Sequence, residues 1–462
     1  MVIRCSLYNY GEVNIMFTEN RFYKTVIKIA IPVTLQSLLQ SSFGVADQMM
    51  TGQLGSVSIA GIGLSSKFTS VFSVLVSAIA AVAGIMIAQY VGQKDDEEVS
   101  RCFCVNLFLA VILAVFFTML SAMCPQIIMR IYTRDQTVRK VAAGYLRIVS
   151  VTYLPIAISS LTSVLLRCME KAELPMYASI CSAVMNTGLN YVLIFGKCGI
   201  PKMGVQGAAI ATVISQSVNC VLLLVLFLGY YGNKGQKLVL KFTLKMTSEK
   251  YKQYLGILLP ILICEFLWTL GENIYAVIYG HIGTEACAAM TLTTPIQVLM
   301  IGALSGVSQA AGVIIGKTLG SGDNERAYEE SKKLVKYGLI GSILLSVLLI
   351  FLSNWYVSIY QVESHVRMLA CQILFAFALI APVKVQNMIL GGGIIRSGGK
   401  TKYIMWIDFV GTWLFGVPLG FLTAFVLKLE IPYVYFILSL EECVRLGISF
   451  VVFRKRNWMM QL

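Results

Sequence analysis

Twelve times along this chain, about 20 or more residues pass with hardly a charge: at roughly 26–50, 58–90, 102–125, 140–166, 176–196, 205–230, 254–279, 287–318, 334–353, 366–395, 404–427 and 432–453. As a helix, each run is long enough to cross a hydrocarbon layer of roughly 30 Å, and several exceed that minimum, so tilt or extension beyond the bilayer is expected. The chain is 57% hydrophobic and 13% charged, against about 45–50% and 25% for soluble proteins. The expectation is an all-α membrane protein of twelve transmembrane helices. No stretch between the runs is long enough for a soluble domain, and the longest polar connector, Tyr231 to Lys252, falls between the sixth and seventh.

The two sides of that connector are copies. Displaced by 228 residues, Pro32, Gly52 and Gly55 fall on Pro260, Gly280 and Gly283, and Gly84, Gly92 and Asp95 on Gly312, Gly320 and Asp323. Ile131-Tyr132 and Val138-Arg139 fall on Ile359-Tyr360 and Val366-Arg367 at the same displacement. Six helices per half is an even number, so the second half starts on the same side of the membrane as the first. The repeats are then parallel, related by an axis along the membrane normal, with a central space between two lobes, as in many secondary transporters. Pro32, Pro155, Pro260 and Pro382 stand inside runs, where a missing N–H and a ring clash kink or open a helix. Gly391-Gly392-Gly393 and Gly398-Gly399 bracket Arg396 and read as a tight cytoplasmic turn. Arg167 and Lys171 occupy nearly the same relative place in the first half, at an offset of 229 that implies one inserted residue.

A formal charge of +14 is not a nucleic-acid signature here, because of where it sits. With the N-terminus inside, and basic residues near the ends of a run counted to the nearer side, 26 of the 37 Lys and Arg are assigned to the cytoplasmic side and 9 to the outside, leaving Lys67 and Lys384 assigned to the spans. That asymmetry puts both termini in the cytoplasm. Lys234, Lys237, Lys241, Lys245, Lys250 and Lys252 in the connector weigh most, while a short outside loop with Arg130, Arg134, Arg139 and Lys140 opposes the rule. These clusters read as facing anionic lipid headgroups. The 12 Cys contain no C-x-x-C, the closest pair being Cys102 and Cys104, and read as small apolar core residues. The first 20 residues lack the apolar run and cleavage site of a signal peptide, and either Met1 or Met16 serves as the start.

Enzymatic motifs are absent. Gly316-Lys317-Thr318 imitates the end of a phosphate loop, but Ala311 stands where its first Gly belongs. His281 and His365, the two histidines, fall in outside loops and support no metal site or catalytic base. Energy for transport would come from an ion gradient. Ionisable residues inside the runs are the informative ones, since a charge in hydrocarbon is costly and is tolerated facing a cavity or a partner. Asp47 lies 15 residues after Pro32 in helix one, Glu265 and Glu272 share a face of helix seven at i and i+7, and Asp408 sits early in helix eleven. Each reads either as functional or as a structural carboxylate tied to a Lys or a backbone group. The repeat mate of Asp47 is Tyr275, so symmetry does not demand the acid. Asn186 and Asn190, one turn apart in helix five, present amides on one face, for function or as glue between helices. Lys67 and Lys384 are counterions for these acids or snorkel to the interface.

The run from Ile31-Pro32 through Asp47 to Gly52-Gln-Leu-Gly55, the stretch Asn186-x-x-x-Asn190-Tyr-Val-Leu-Ile-Phe-Gly196, and Gly204-Val-Gln-Gly207-Ala-Ala-Ile-Ala-Thr212 resemble the multidrug and toxic compound extrusion (MATE) family. Pro260 to Gly280, with Glu265 and Trp268-Thr-Leu-Gly271, looks like helix seven of its Firmicute-type bacterial members. The likeness covers nearly the whole chain. It implies two six-helix bundles around a V-shaped central cavity, and export of organic cations and drugs in exchange for inward Na⁺ or H⁺. In the archaeal and DNA-damage-inducible bacterial branch, the N-lobe cation site combines an Asp of helix one, an Asn and an Asp of helix five and a Thr of helix six. Asp47, Asn186 and Thr212 match that pattern, and Asn190 replaces the second Asp. One carboxylate traps Na⁺, which prefers hard oxygen ligands and charge compensation, less well than two, so Asp47 is expected to load a proton instead. Other branches place an acid in the helix-ten region; Val383 to Gly393 holds only Lys384, Gln386 and Asn387, which leaves Glu265 as the C-lobe candidate.

The expectation is a secondary active multidrug efflux antiporter of the bacterial inner membrane, without enzymatic activity or cofactor, exporting mainly cationic, amphipathic compounds. H⁺ rather than Na⁺ is the expected coupling ion, with Na⁺ at Asp47 left open. Asp47, Asn186, Asn190 and Thr212 are assigned to coupling; Glu265, Glu272 and Asp408 to the substrate cavity or C-lobe coupling; Pro32 and Pro260 to helix bending. The expected division is a cytoplasmic segment 1–24, an N-lobe 25–230, a basic linker 231–252, a C-lobe 253–454 and a tail 455–462. The expected partners are small organic cations and membrane lipids, not nucleic acid, and the chain is expected to be a monomer. A lipid-linked precursor flippase of related fold and a non-transporting membrane scaffold are the alternatives. A flippase is expected to line its cavity with several cations to hold a pyrophosphate, and the charge assignment leaves only Lys67 and Lys384 available for that.

Overall fold

A computed structural model describes residues 9–197, 199–233, 248–360 and 362–462, which are helical apart from short connections. The connector lysines Lys234, Lys237, Lys241 and Lys245 lie outside the described residues. The first half comprises α1 (Asn9–Gly52), α2 (Ser56–Gln93), α3 (Asp96–Met123), the short α4 (Pro125–Tyr132), α5 (Gln136–Val149), α6 (Tyr153–Cys168), α7 (Glu173–Phe195) and α8 (Gly204–Asn233), a 3₁₀ turn at Ser150–Thr152 joining α5 to α6. The second half comprises α9 (Ser248–Ile282), α10 (Thr284–Gly320), α11 (Asn324–Ser358) and α12 (Ser364–Asn387), the last continued by a π-helical stretch Met388–Ile395. Next come α13 (Lys402–Phe409) and α14 (Val417–Phe421), interleaved with π-helical Val410–Gly416 and Leu422–Val426, and finally α15 (Ile431–Ser439) and α16 (Glu441–Arg454).

Eleven of the helical stretches among the described residues are long and apolar enough to cross a membrane. The run at 432–453 is different: it forms two helices, α15 and α16, meeting at Leu440, and α16 carries Glu441, Glu442 and Arg445 on its buried side.

Residues that recur at the repeat distance do the same work twice. Asp95 and Asp323 are the N-caps of α3 and α11, each accepting a hydrogen bond at 3.0 Å from the backbone amide three residues on, that of Glu98 or Arg326. Such a bond satisfies one of the amides a helix start leaves open. Gly55 (φ 88°) and Gly283 (φ 153°) precede α2 and α10 at positive φ, which costs a glycine little. Near the ends of α2 and α10 the two halves touch reciprocally. A Cβ on Gly92 would sit on the Lys317 carbonyl, and one on Gly320 would sit on the Gln89 carbonyl. Gln89 and Lys317 are themselves one repeat apart, so the contact is reciprocal. Small residues permit this backbone approach.

The chain's last residues close the same end. Gln89 Nε2 donates to the Ser397 carbonyl at 2.8 Å while its Oε1 accepts from the Leu462 amide at 2.8 Å, and Gln93 Nε2 donates to the Leu462 carbonyl at 2.9 Å. Along the middle of the molecule α1 packs on α10, where Gly306 faces the Ala30 carbonyl and Thr34 Oγ1 donates to the Ala303 carbonyl at 3.1 Å.

The turn expected at Gly391-Gly392-Gly393 is not there. Those glycines belong to the π-helical continuation of α12, and the turn is confined to the neighbourhood of Gly399, at φ 75°. Helix persists because Gly393 lets α10 approach: a Cβ there would lie 2.7 Å from the Ser308 carbonyl, and Ser308 Oγ donates to the Met388 carbonyl at 2.6 Å. The π stretch also accounts for the inserted residue. Arg139 and Arg167 are 28 positions apart and their counterparts Arg367 and Arg396 are 29 apart; a π turn absorbs one extra residue without ending a helix.

Candidate functional site

Helix packing joins three of the four residues assigned to coupling. Asn190 of α7, fully buried, donates from Nδ2 to Asp47 Oδ1 of α1 and, at 3.1 Å, to Asn186 Oδ1 one turn away. The two acceptors fix which end of the amide is nitrogen. Asn190 Oδ1 is buried without a hydrogen-bond partner. Thr212 of α8 donates at 3.0 Å to the Ala208 carbonyl of its own helix, and it is linked to Asp47 through Tyr145 of α5, which bonds Thr212 and stands close to Asp47. Tyr145 was not picked out from the sequence; a tyrosine in a mixed helix gives no signal of the acid it will meet. Among the described residues no Lys, Arg or His pairs with Asp47, whose closest polar contact is the Asn190 amide.

The second half disposes of its acids differently. Glu265 of α9 pairs with Arg396 Nη2 at 3.3 Å. Asp408 of α13 pairs with Arg445 Nη2 at 3.4 Å and accepts from the Cys264 thiol. Glu442 lies 3.7 Å from both Lys384 Nζ and Arg445 Nη1 and accepts from Asn387 Nδ2 at 2.8 Å. Glu441 accepts from the Tyr275 hydroxyl and shares the field of Arg445 and Lys384. Glu272 is exposed but lies within electrostatic reach of Lys384. Lys384 is thus a counterion, as one reading of the sequence had it, while Lys67 is exposed. Glu441, Glu442 and Arg445 were missed, although they meet the criterion that singled out Asp47: an ionisable group inside an apolar run. They also transpose the first half's arrangement. Tyr275 is the repeat mate of Asp47, and Glu441 stands 229 residues after Thr212; the acid has moved from the first helix of a half to the last.

Between the halves lies a cavity of about 450 Å³, walled by α1, α2, α6, α7 and α8 on one side and by α10 and the Met388–Ile395 stretch on the other. Its lining is rich in Ser, Gln and Gly, and among the described residues its only charged ones are Arg167 and Arg396. Asp47, Glu265, Glu272 and Asp408 are not among the residues that line it. Glu265 is drawn aside by its pairing with Arg396. Arg445 is buried, and Arg167 and Arg396 are half-buried against the cavity.

Fold and site define a polytopic helical membrane protein, built as two related halves, with ionisable groups held in its interior. The MatE family profile matches residues 32–192 and again residues 260–422, two matches that begin one repeat apart, and the chain belongs to this family. Over 413 residues it is 24% identical to the probable multidrug resistance protein NorM of Photorhabdus laumondii, covering 88% of this chain and 89% of the relative. A protein of the same name from Thermotoga maritima is 25% identical over 405 residues, 86% of this chain and 85% of its own. Among solved structures, a crystal structure of MATE in complex with MaL6 has the same fold, with a TM-score of 0.84 at 18% identity over 94% of this chain and 96% of that one.

Proposed function

We propose that the chain is a secondary active multidrug efflux antiporter of the bacterial inner membrane, exporting small organic compounds in exchange for H⁺. Twelve helices, with α15 and α16 together making the last, form two parallel six-helix lobes; both termini are cytoplasmic, and the cavity between the lobes opens in turn to each side. The relatives' name NorM and the family membership support the transport reading.

The observation that carries the coupling assignment is Asp47: a carboxylate within the membrane, held by a neutral amide and lacking a cationic partner among the described residues. Glu265, Asp408 and Glu442, by contrast, have Arg or Lys within 4.0 Å. An acid that needs a charge from solution responds to the ion gradient, whereas acids closed within the chain respond to it far less. Loading Asp47 with a proton removes the negative charge that holds the Asn190 amide. This shifts α1 against α7 to the extent that the proton binds one arrangement better than the other. Pro32, whose ring leaves one helix hydrogen bond of α1 unmade, gives that helix a place to bend, and Pro260 does the same for α9. For Na⁺ the oxygens at hand are Asp47, Asn186 and the unpartnered Asn190 Oδ1, a set with a single negative charge. H⁺ is therefore the main coupling ion.

The test is dye efflux from proteoliposomes under an imposed pH gradient and, separately, an imposed Na⁺ gradient. The pH gradient should drive efflux, Asp47→Asn should abolish it with the protein still folded, and Glu265→Gln should retain most of it. Efflux driven by Na⁺ alone, or undiminished in Asp47→Asn, sinks the assignment.

A further inference from the structure

We infer that the cavity between the halves is an anion subsite, in which a carboxylate, phosphate or sulfonate group of the transported compound sits against Arg167 and Arg396. The inference rests on the transport reading above and names the substrate class of its cavity.

Arg167 carries the argument. Its only side-chain hydrogen bond among the described residues runs from Nη2 to the neutral Gln36 Oε1 at 3.3 Å, and it forms no ion pair. Its Nε is buried without a partner. A guanidinium offers five donors in a fixed fork, and enclosing one without an anion costs several kcal/mol. A purely structural arginine would spend those donors on carbonyls or a carboxylate; this one faces an open space with most of them unspent. Arg396, across the cavity, repeats the pattern. Its Nη2 meets Glu265 at 3.3 Å while its Nε is also buried and unpartnered. With Glu265 balancing Arg396, the cavity keeps one uncompensated positive charge.

The pair is also placed by construction. Arg167 and Arg396 are repeat counterparts, and the π stretch that absorbs the inserted residue directly precedes Arg396. That register shift lets Arg396 meet the cavity from the second half as Arg167 does from the first. Around them the wall supplies hydroxyls and amides, including Asn219 Oδ1, which is buried and unpartnered. A volume of about 450 Å³ falls within the range of roughly 300–1,000 Å³ typical of small-molecule sites, enough for an organic molecule bearing one acidic group.

The purified full chain, in nanodiscs of phosphatidylcholine, should bind the anionic dye carboxyfluorescein in preference to the cationic dye rhodamine 6G, read by fluorescence anisotropy. Arg167→Gln should weaken carboxyfluorescein binding by roughly tenfold or more and lower the anion-to-cation affinity ratio, with Arg167→Lys in between because it keeps the charge and loses the fork. Adding phosphatidylglycerol to the discs separates the two sources of such an anion. Competition that disappears in Arg167→Gln assigns the subsite to a lipid headgroup, and absence of competition assigns it to soluble organic anions. Should Arg167→Gln fail to fold, the unmodified chain decides: carboxyfluorescein must raise its Tm where rhodamine 6G does not. No carboxyfluorescein binding by the unmodified chain, or equal loss of both dyes in Arg167→Gln, overturns the inference. The measurement uses no gradient, so an unmodified chain that binds no carboxyfluorescein yet shows Asp47-dependent efflux refutes the subsite alone.

Discussion

Replacing Arg445 by methionine tests whether the second half's buried charges hold its helices together. Arg445 is 7% exposed and reaches Asp408 at 3.4 Å, Glu442 at 3.7 Å and Thr412 Oγ1 at 2.8 Å. Gly411 leaves room for it, since a Cβ at that position would lie 2.8 Å from Arg445 Nε. At an effective dielectric of about 20, each ion pair is worth about 5 kcal/mol before desolvation is counted. Removing one partner of a buried pair costs about 3–5 kcal/mol net, because the charge left behind stays buried and unbalanced. Here Asp408, Glu441 and Glu442 would remain with Lys384 as their one close cation, 3.7 Å from Glu442. Unfolding entropy of about 2 cal/mol/K per residue amounts to roughly 1 kcal/mol/K for a chain of 462 residues. The apparent Tm of the detergent-solubilised protein, followed by tryptophan fluorescence and size-exclusion recovery, should therefore fall by roughly 3–5 °C. Adding Glu442→Gln to Arg445→Met should recover part of that loss, since it removes one stranded charge. A Tm within about 1 °C of the unmodified protein, or a double variant less stable than Arg445→Met, would refute the reasoning.

The reciprocal glycine contact predicts that Gly320→Val, by forcing a side chain onto the Gln89 carbonyl, parts the two halves at the end the C-terminal residues close. A cysteine introduced at Gln93 should then react faster with maleimide, and unchanged reactivity would count against the closure described. Asn190→Asp restores a second carboxylate beside Asp47 and Asn186 and should raise the Na⁺ dependence of proteoliposome efflux; a purely H⁺-driven response in that variant would mean that charge count does not set the ion preference.

Much of the site was legible because an ionisable group in an apolar run stands out one residue at a time. Asp47 was visible in this way, and Asn186 and Asn190 followed from their spacing of one helical turn. Glu441, Glu442 and Arg445 meet the same criterion, but the run at 432–453 reads as one span, and the break at Leu440 that turns these charges inward appears only in the fold. Tyr145 was beyond reach, because nothing in its own segment refers to the acid it meets on another helix. The cavity position of Arg167 and Arg396 is not legible for a related reason: near the end of an apolar run, an arginine facing water and an arginine facing an internal cavity read the same.

The amino-acid sequence by itself determined that the chain lives in a membrane, that it is helical, and that one design occurs twice. Hydropathy is a property of a single run, and a repeat is a comparison of the chain with itself, so neither depends on how helices are arranged. The tertiary structure decided which charges meet. Each residue turns a helix by about 100°, so a one-residue insertion such as the one absorbed at Met388–Ile395 decides which way Arg396 faces. Whether Glu265 charges a cavity or pairs with Arg396, and whether Asp47 finds a cation or an amide, depends on the rotation and packing of helices far apart in the chain.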